Sequence, residues 1–183
     1  MQSFEAAVLT LPVSDEDHTR GSATAPVTLV EYGDFECPYC GQAYPIVEAI
    51  QQRFGDQLRF VFRNFPLTQA HPHAEHAAEA AEAASAQGAF WPMHEQLFTH
   101  QKTLDDSHLV GYASDLGLDS ERVDRELAEG VHTEKVRAHF MSGIRSGVNG
   151  TPTFFINGVR HDDSYDFDTL VDAIERAALA DVR

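Results

Sequence analysis

The chain's only two cysteines stand as Cys37-Pro38-Tyr39-Cys40, inside the stretch FECPYCGQAYP. Few kinds of chemistry use two thiols at this spacing. A structural disulfide closing so short a loop constrains little of the unfolded chain. A structural zinc site needs four ligands, and usually a second Cys or His pair at matching spacing. Two cysteines placed at random fall at this separation only about once in a hundred, so the C-x-x-C pattern points first to thiol–disulfide exchange. The competing reading is a pair of incidental thiols.

Exchange requires an exposed nucleophile and a shielded resolving thiol: attack, mixed disulfide, then release by the second sulfur. The flanking elements decide whether these sulfurs qualify. Val27 to Tyr32 is an apolar run suited to a central strand, and Gly33 ends it. After the cysteines, Ala43, Ile46, Val47 and Ile50 recur at helical spacing, with Gly55 as the stop. Cys37 then lies at a helix N-terminus, facing unpaired N–H groups and the positive end of the dipole. Both favour thiolate, so its pKa is expected below the free value of about 8.5. Cys40 lies one turn inside and is expected to be more buried, with its pKa raised. Pro38 suits the first turn because it lacks an N–H that would be orphaned there.

The remaining elements frame this unit. LRFVFRNF alternates Leu58, Phe60 and Phe62 against Arg59 and Arg63, a second strand. Strand, helix and strand in this order imply a parallel pair with a crossover. From Pro66 the pattern turns helical: an Ala- and Glu-rich stretch stopped at Gly88, two short amphipathic helices punctuated by Gly117 and Gly130, and one more over TEKVRAHFMSGIRSG. TPTFFINGVRHD reads as a strand, a tight Asn157-Gly158 turn and a partner strand. A last helix, DTLVDAIERAALA, follows. The sum is a small α/β unit split by a helical insertion. Residues 27–65 and 150–183 form the α/β part, 66–149 the insertion and 1–26 an N-terminal extension.

Strand, C-P-Y-C, helix, strand, helical insert, then GVNGTPTFFING resembles the DsbA-like branch of the thioredoxin superfamily, found in bacteria. The likeness runs from about Pro26 and includes RNFPL, HPHAEHAA and GAFWPMHEQLF. It implies a thioredoxin-like fold with an inserted all-helical domain, and a protein disulfide oxidoreductase. It implies that Cys37 is the nucleophile and that Cys40 resolves. By the same resemblance Pro152 is a cis-proline facing the cysteines, and Thr151 offers backbone N–H and C=O groups to an extended substrate strand. Pro38 and Tyr39 flank that substrate path. Glu31 stands where family members place a buried acid near the second cysteine, and would accept the Cys40 proton with its own pKa raised by burial.

One position departs from the pattern. Strongly oxidising DsbA proteins have histidine where this chain has Tyr39, whereas glutaredoxins share C-P-Y-C. Glutaredoxin and DsbA potentials, roughly −200 to −230 and −120 mV, differ by about 4 kcal/mol for two electrons. That is about three pKa units. Neutral tyrosine does little for a thiolate, so the expected potential lies nearer the glutaredoxin range, which favours reductase or isomerase action.

Two rival functions remain: a glutathione-linked, glutaredoxin-like reductase, and a peptide-binding or chaperone-like module with redox-silent thiols. The redox reading needs no organic cofactor and no metal, with glutathione as a candidate co-substrate. Its partners are protein or peptide thiols and disulfides, and a redox partner the residues do not name.

Composition narrows the partners. The net charge of −16, from 29 acidic residues against 13 Lys plus Arg, disfavours nucleic acid and anionic membrane. No apolar run approaches the roughly 20 residues of a membrane-spanning helix, so no membrane insertion is expected. The N-terminus lacks a basic n-region, its apolar stretch is interrupted by Glu5, and its first cation is Arg20. A cytoplasmic location is expected; a mature periplasmic or exported form would read the same way.

Other residues receive plainer readings. His71, His73 and His76 lie near a helix start and lack a defined metal spacing, so they read as a polar terminus with uncharged imidazoles. Phe90, Trp91 and Phe98 read as core at helical spacing, and His94 and His100 as surface or packing residues. Asp15 to Asp17 read as part of a solvated extension.

Overall fold

The computed structural model describes residues 6–180. The first five residues of the expected N-terminal extension and the last three of the C-terminal segment lie outside the described residues. Among the described residues the strands are β1 (His18–Arg20), β2 (Val27–Gly33), β3 (Leu58–Asn64), β4 (Thr153–Ile156) and β5 (Val159–His161). The helices are α1 (Pro38–Phe54), α2 (Ala74–Ser85), α3 (Phe90–Thr99), α4 (Asp106–Asp115), α5 (Ser120–Glu129), α6 (Thr133–Arg145) and α7 (Phe167–Ala180). They divide into a sheet unit (residues up to Tyr32, Gln42–Arg63, and from Ser142) and a helical unit (Gly33–Gly41 and Asn64–Met141).

The sheet runs β1-β3-β2-β4-β5. β2 lies at its centre because Leu29, Val30 and Tyr32 leave almost nothing in water on either face. It pairs antiparallel with β4, placing Leu29 opposite Ile156 and Glu31 opposite Phe154. β4 folds back into β5 through Asn157 and Gly158, both at positive φ (47° and 80°), as a type I′ turn demands. The Asn157 side chain fastens this turn, accepting from Thr28 N at 2.8 Å. Phe155, Leu170 and Ile174 are buried where α7 packs on β4.

The solvated N-terminal run expected from the sequence is corrected here. Leu9 N donates to Gly158 O, and Arg160 N to Ala7 O, each at 2.8 Å, so the segment runs along β5. β1 then pairs antiparallel with β3, His18 opposite Phe62. Between them Asp17 is held by Arg63, whose side chain is fully buried. Arg63 donates Nε and Nη2 to the two Asp17 carboxylate oxygens (2.8 and 2.9 Å), Nη1 to Leu11 O and the Tyr32 hydroxyl, and Nη2 to Pro12 O. Burial draws the Arg63 pKa down, but the bonds to Asp17 and Tyr32 outweigh it and hold it above its usual value. A buried guanidinium must satisfy its donors or incur a desolvation penalty of several kcal/mol, and the N-terminal segment supplies most of the acceptors. Asp15 and Glu16 do face solvent.

The helical unit is built around α2, whose Ala77, Ala78, Ala80, Ala81, Ala83 and Ala84 are all buried. Small side chains let α3, α4 and α5 pack closely against it. α3 buries Phe90, Met93, His94, Leu97 and Phe98, one stripe at helical spacing. Phe90 and Phe98 are in the core, as their spacing implied, whereas Trp91 is only half-buried. His94 joins them, packed edge-on against Phe35, Trp91 and Phe98. Two acids of α2 are buried as well. Glu82 accepts from Asn64 Nδ2 at 2.8 Å and pairs with Lys135 at 3.5 Å, while Glu79 accepts from the Thr133 hydroxyl.

Candidate redox site

The two cysteines occupy the turn from β2 into α1. Gly33 ends the strand, and Cys37 N donates to Asp34 O at 3.1 Å, closing a four-residue turn. Gly41 N donates to Cys37 O at 3.1 Å, the first bond of α1. Cys37 is therefore the N-cap residue, Pro38 the first helical residue and Cys40 the third. Pro38 has no N–H to leave orphaned, while Tyr39 and Cys40 point theirs out of the helix start.

Burial separates the thiols less than the spacing implied. Cys40 is fully buried, and Cys37 is also buried, at 3% exposure. The expectation of an exposed nucleophile is corrected to a covered one. Gln101, from the α3–α4 loop, holds the backbone of this turn. Its Nε2 donates to Phe35 O (2.9 Å) and Cys37 O (2.8 Å). A Cβ at Gly41 would lie 2.1 Å from the Gln101 Oε1, so this helical position has room only for glycine while the amide is in place. Tyr39, in contrast, is 60% exposed and is the large apolar surface at the mouth of the turn.

Asp34 organises the turn and has no counterpart among the residues singled out from sequence. The residue is 1% exposed. Oδ1 accepts from Glu36 N at 2.8 Å, an Asx turn, while Oδ2 accepts from Leu67 N (2.9 Å) and from His71 Nδ1 (2.7 Å). Its own backbone N–H donates to Cys40 Sγ at 3.5 Å. The one sequence signal was an Asp placed to form an Asx turn just before the C-x-x-C. Nothing in the sequence pairs it with His71.

The histidine cluster differs from the uncharged terminus expected. Burial draws the His71 pKa down, but the Asp34 hydrogen bond and the negative charges of Asp34, Cys37 and Glu36 outweigh it, holding His71 above its usual 6.5. His73 engages Glu36 through both its N–H (2.7 Å) and Nδ1 (2.9 Å). The Asp106 hydrogen bond, opposed by burial and helped by Glu79 and Glu75, raises the His76 pKa. The physical reason is that loops remote in sequence bring a carboxylate to each imidazole. No group of three or more His, Cys, Asp or Glu suited to a metal occurs among the described residues.

The other sequence candidates lie in the sheet unit. Glu31 is buried, at 2% exposure, on β2. The Thr151–Pro152 peptide bond is cis and immediately precedes β4. Thr153 Oγ1 donates to Gly150 O at 2.7 Å, fastening the residues on either side of it.

A family model described as Thioredoxin matches residues 13–176. Among solved structures, oxidised BdbD from Bacillus subtilis is 25% identical and superposes with a TM-score of 0.85, covering 96% of this chain and all of that one. A thioredoxin-like oxidoreductase from Silicibacter pomeroyi is 27% identical, with a TM-score of 0.77 over 90% of this chain and 93% of that one. A curated relative named Na(+)/H(+) antiporter NhaA 1, from Salinispora arenicola, is 49% identical over 170 residues. That match takes in 92% of this chain but 26% of the relative. The chain thus spans about a quarter of the length of the curated relatives it matches.

Proposed function

The chain belongs to the thioredoxin family and has the thioredoxin-like fold of DsbA-like oxidoreductases, and from that premise we propose that it is a thiol–disulfide oxidoreductase acting on protein or peptide substrates through Cys37 and Cys40. The observation that carries the reading is the asymmetry of the two sulfurs. Cys37 caps a 17-residue helix, while Cys40 is sealed one turn inside it beneath the Asp34 amide.

In the reducing direction, Cys37 thiolate attacks one sulfur of a substrate disulfide. The other substrate sulfur leaves as thiolate, and a mixed disulfide forms. Cys40 loses its proton and attacks Cys37, forming the internal disulfide and releasing the second substrate thiolate. Glu31 is the assigned acceptor of the Cys40 proton, as the resemblance implies. Run backwards, the same steps oxidise a substrate dithiol. Thr151 and Pro152 are assigned the binding of an extended substrate backbone, with Pro38 and Tyr39 as the flanking contact. The dithiol itself carries the electrons, so no organic cofactor enters these steps.

Tyr39 in the dipeptide supports a potential near the glutaredoxin range and hence reductase or isomerase action. The antiporter relatives bear on partners rather than on chemistry. Their extra length and their name make a membrane ion transporter a candidate associate for this module. Among the described residues no helix is long and apolar enough to cross a membrane.

The test is an equilibrium titration in glutathione redox buffers, following Cys37 and Cys40 by thiol trapping and mass. A potential at or below about −200 mV supports reductase or isomerase action, and one near about −120 mV overturns that direction in favour of a dedicated oxidant. Absence of any reversible Cys37–Cys40 disulfide would overturn the oxidoreductase reading and leave a binding module.

A further inference from the structure

The dipeptide between the cysteines holds no histidine, yet an imidazole is delivered to the same turn from another part of the chain. We propose that His71, oriented by Asp34, is a positioning residue of the redox site and supplies the positive charge faced by the Cys37 thiolate. This deepens the oxidoreductase reading and rests on it.

The geometry runs through Asp34, which touches every part of the turn. Its carbonyl accepts from Cys37 N at 3.1 Å. Its N–H meets Cys40 Sγ at 3.5 Å. Its carboxylate receives His71 Nδ1 at 2.7 Å. Because Oδ2 is an acceptor, Nδ1 keeps its proton, and Nε2 is the nitrogen that titrates. The acid itself is 1% exposed, and it also holds Glu36 N and Leu67 N. Leu67 and His71 belong to the segment leading into α2, so one carboxylate ties that segment to the thiols.

The charges decide what this arrangement does. Asp34, bonded to His71, is bonded in turn to the backbone N–H groups of Glu36 and Cys37, so three groups that are anionic when ionised share this turn. Glu36 is already paired with His73 at 2.9 Å. With His71 neutral, a Cys37 thiolate would share the turn with the Asp34 carboxylate uncompensated, and like charges oppose ionisation. With His71 protonated, Asp34 and the imidazolium cancel, and the thiolate gains an opposite charge. The proton balance runs through solvent: Cys37 S–H releases its proton to water and His71 Nε2 takes one up, leaving thiolate and imidazolium with the net charge of the turn unchanged. When Cys37 is consumed in a disulfide, the imidazolium loses its partner and releases the proton more readily.

That reciprocity gives a test on the unaltered protein. The His71 ring is titrated by NMR in the reduced and the disulfide forms, and its midpoint is expected to be higher in the reduced form. Equal midpoints overturn the proposal. In parallel, the pH dependence of iodoacetamide alkylation of Cys37 is measured for the reduced wild type, His71→Gln and His71→Lys. Gln keeps a donor to Asp34 without a titratable charge and is expected to move the midpoint upward by about one unit, the lower end of an opposite-charge effect. Lys, which keeps the charge, is expected to restore it in large part. No shift in His71→Gln overturns the proposal even where the NMR signals cannot be assigned. The two readings fail separately. Alkylation needs no exchange chemistry, so a flat His71→Gln profile in protein that still exchanges disulfides removes His71 alone. A wild type with no reversible disulfide removes the oxidoreductase reading beneath it.

Discussion

At the scale of single residues, the proposed exchange turns on Asp34 and the two cysteines. Cys40 accepts from the Asp34 amide and is fully buried, and in the proposed exchange it resolves a mixed disulfide rather than begins one. Cys40→Ser is therefore expected to leave Cys37 competent to attack and to accumulate a mixed disulfide with substrate. Cys37→Ser should reduce exchange to background. The check is non-reducing mass spectrometry after incubation with a disulfide-bonded peptide; equal trapping by both variants would contradict the assigned order of attack. The pair itself was legible in the sequence because spacing alone identifies a C-x-x-C. Asp34 and His71 were not, since 36 intervening residues separate them and no local periodicity links an Asx turn to a loop histidine.

At the scale of elements, the start of α1 is held from outside the helix. Gln101 bonds the carbonyls of Phe35 and Cys37 and fills the space a side chain at Gly41 would take. Gln101→Ala is expected to cost about 1–3 kcal/mol, from two hydrogen bonds of about 0.5–1.5 kcal/mol each. Gly41→Ala in the wild type sets a helix-propensity gain of about 1 kcal/mol against the displaced amide, so its net effect is small or destabilising. In the Gln101→Ala background the obstruction is gone, and the same substitution should stabilise. A urea-denaturation double-mutant cycle checks this, and strict additivity would refute the clasp. The glycine after Cys40 was visible in the sequence; its reason was not, because the obstructing amide comes from another loop.

The charge distribution makes its prediction at the scale of the whole molecule. His71 and His76 both have pKa values raised above 6.5 in the folded state. Each contributes stability that is complete below about 6.5 and is lost as pH rises through its raised value. Asp105 and Asp166 are lowered to about 2 by hydrogen bonds from Ser107 and His108, and from Ser164 and Thr169. Glu126, opposed by burial but bonded to His132 and Arg122, is lowered as well. The stability these three contribute is present above their unfolded values and lost as pH falls through the folded ones. A net charge of −16 adds self-repulsion that eases toward acid pH. The melting temperature is therefore expected to be higher at pH 6 than at pH 8.5 or pH 3, by about 2–4 °C on the alkaline side. A scan in low-salt buffer checks it, and a higher melting temperature at pH 8.5 than at pH 6 would contradict the sign.

Local chemistry by itself determined the strand before the cysteines, Cys37 at a helix N-terminus, the Asn157-Gly158 hairpin and the aromatic stripe of α3. Each depends on neighbours within a few residues, where periodicity, capping and turn propensity act. Tertiary structure alone decided the rest. The N-terminal segment joins the sheet because Arg63, buried on β3, needs acceptors that residues 11–17 mostly supply. Cys37 is covered rather than exposed, and its carbonyl is bonded by Gln101 from a loop remote in sequence. The imidazole reaches the redox turn because a buried Asp34 must fill its acceptor sites. In each case a polar group taken out of water requires a partner, and the partner is remote in sequence, where no local pattern records it.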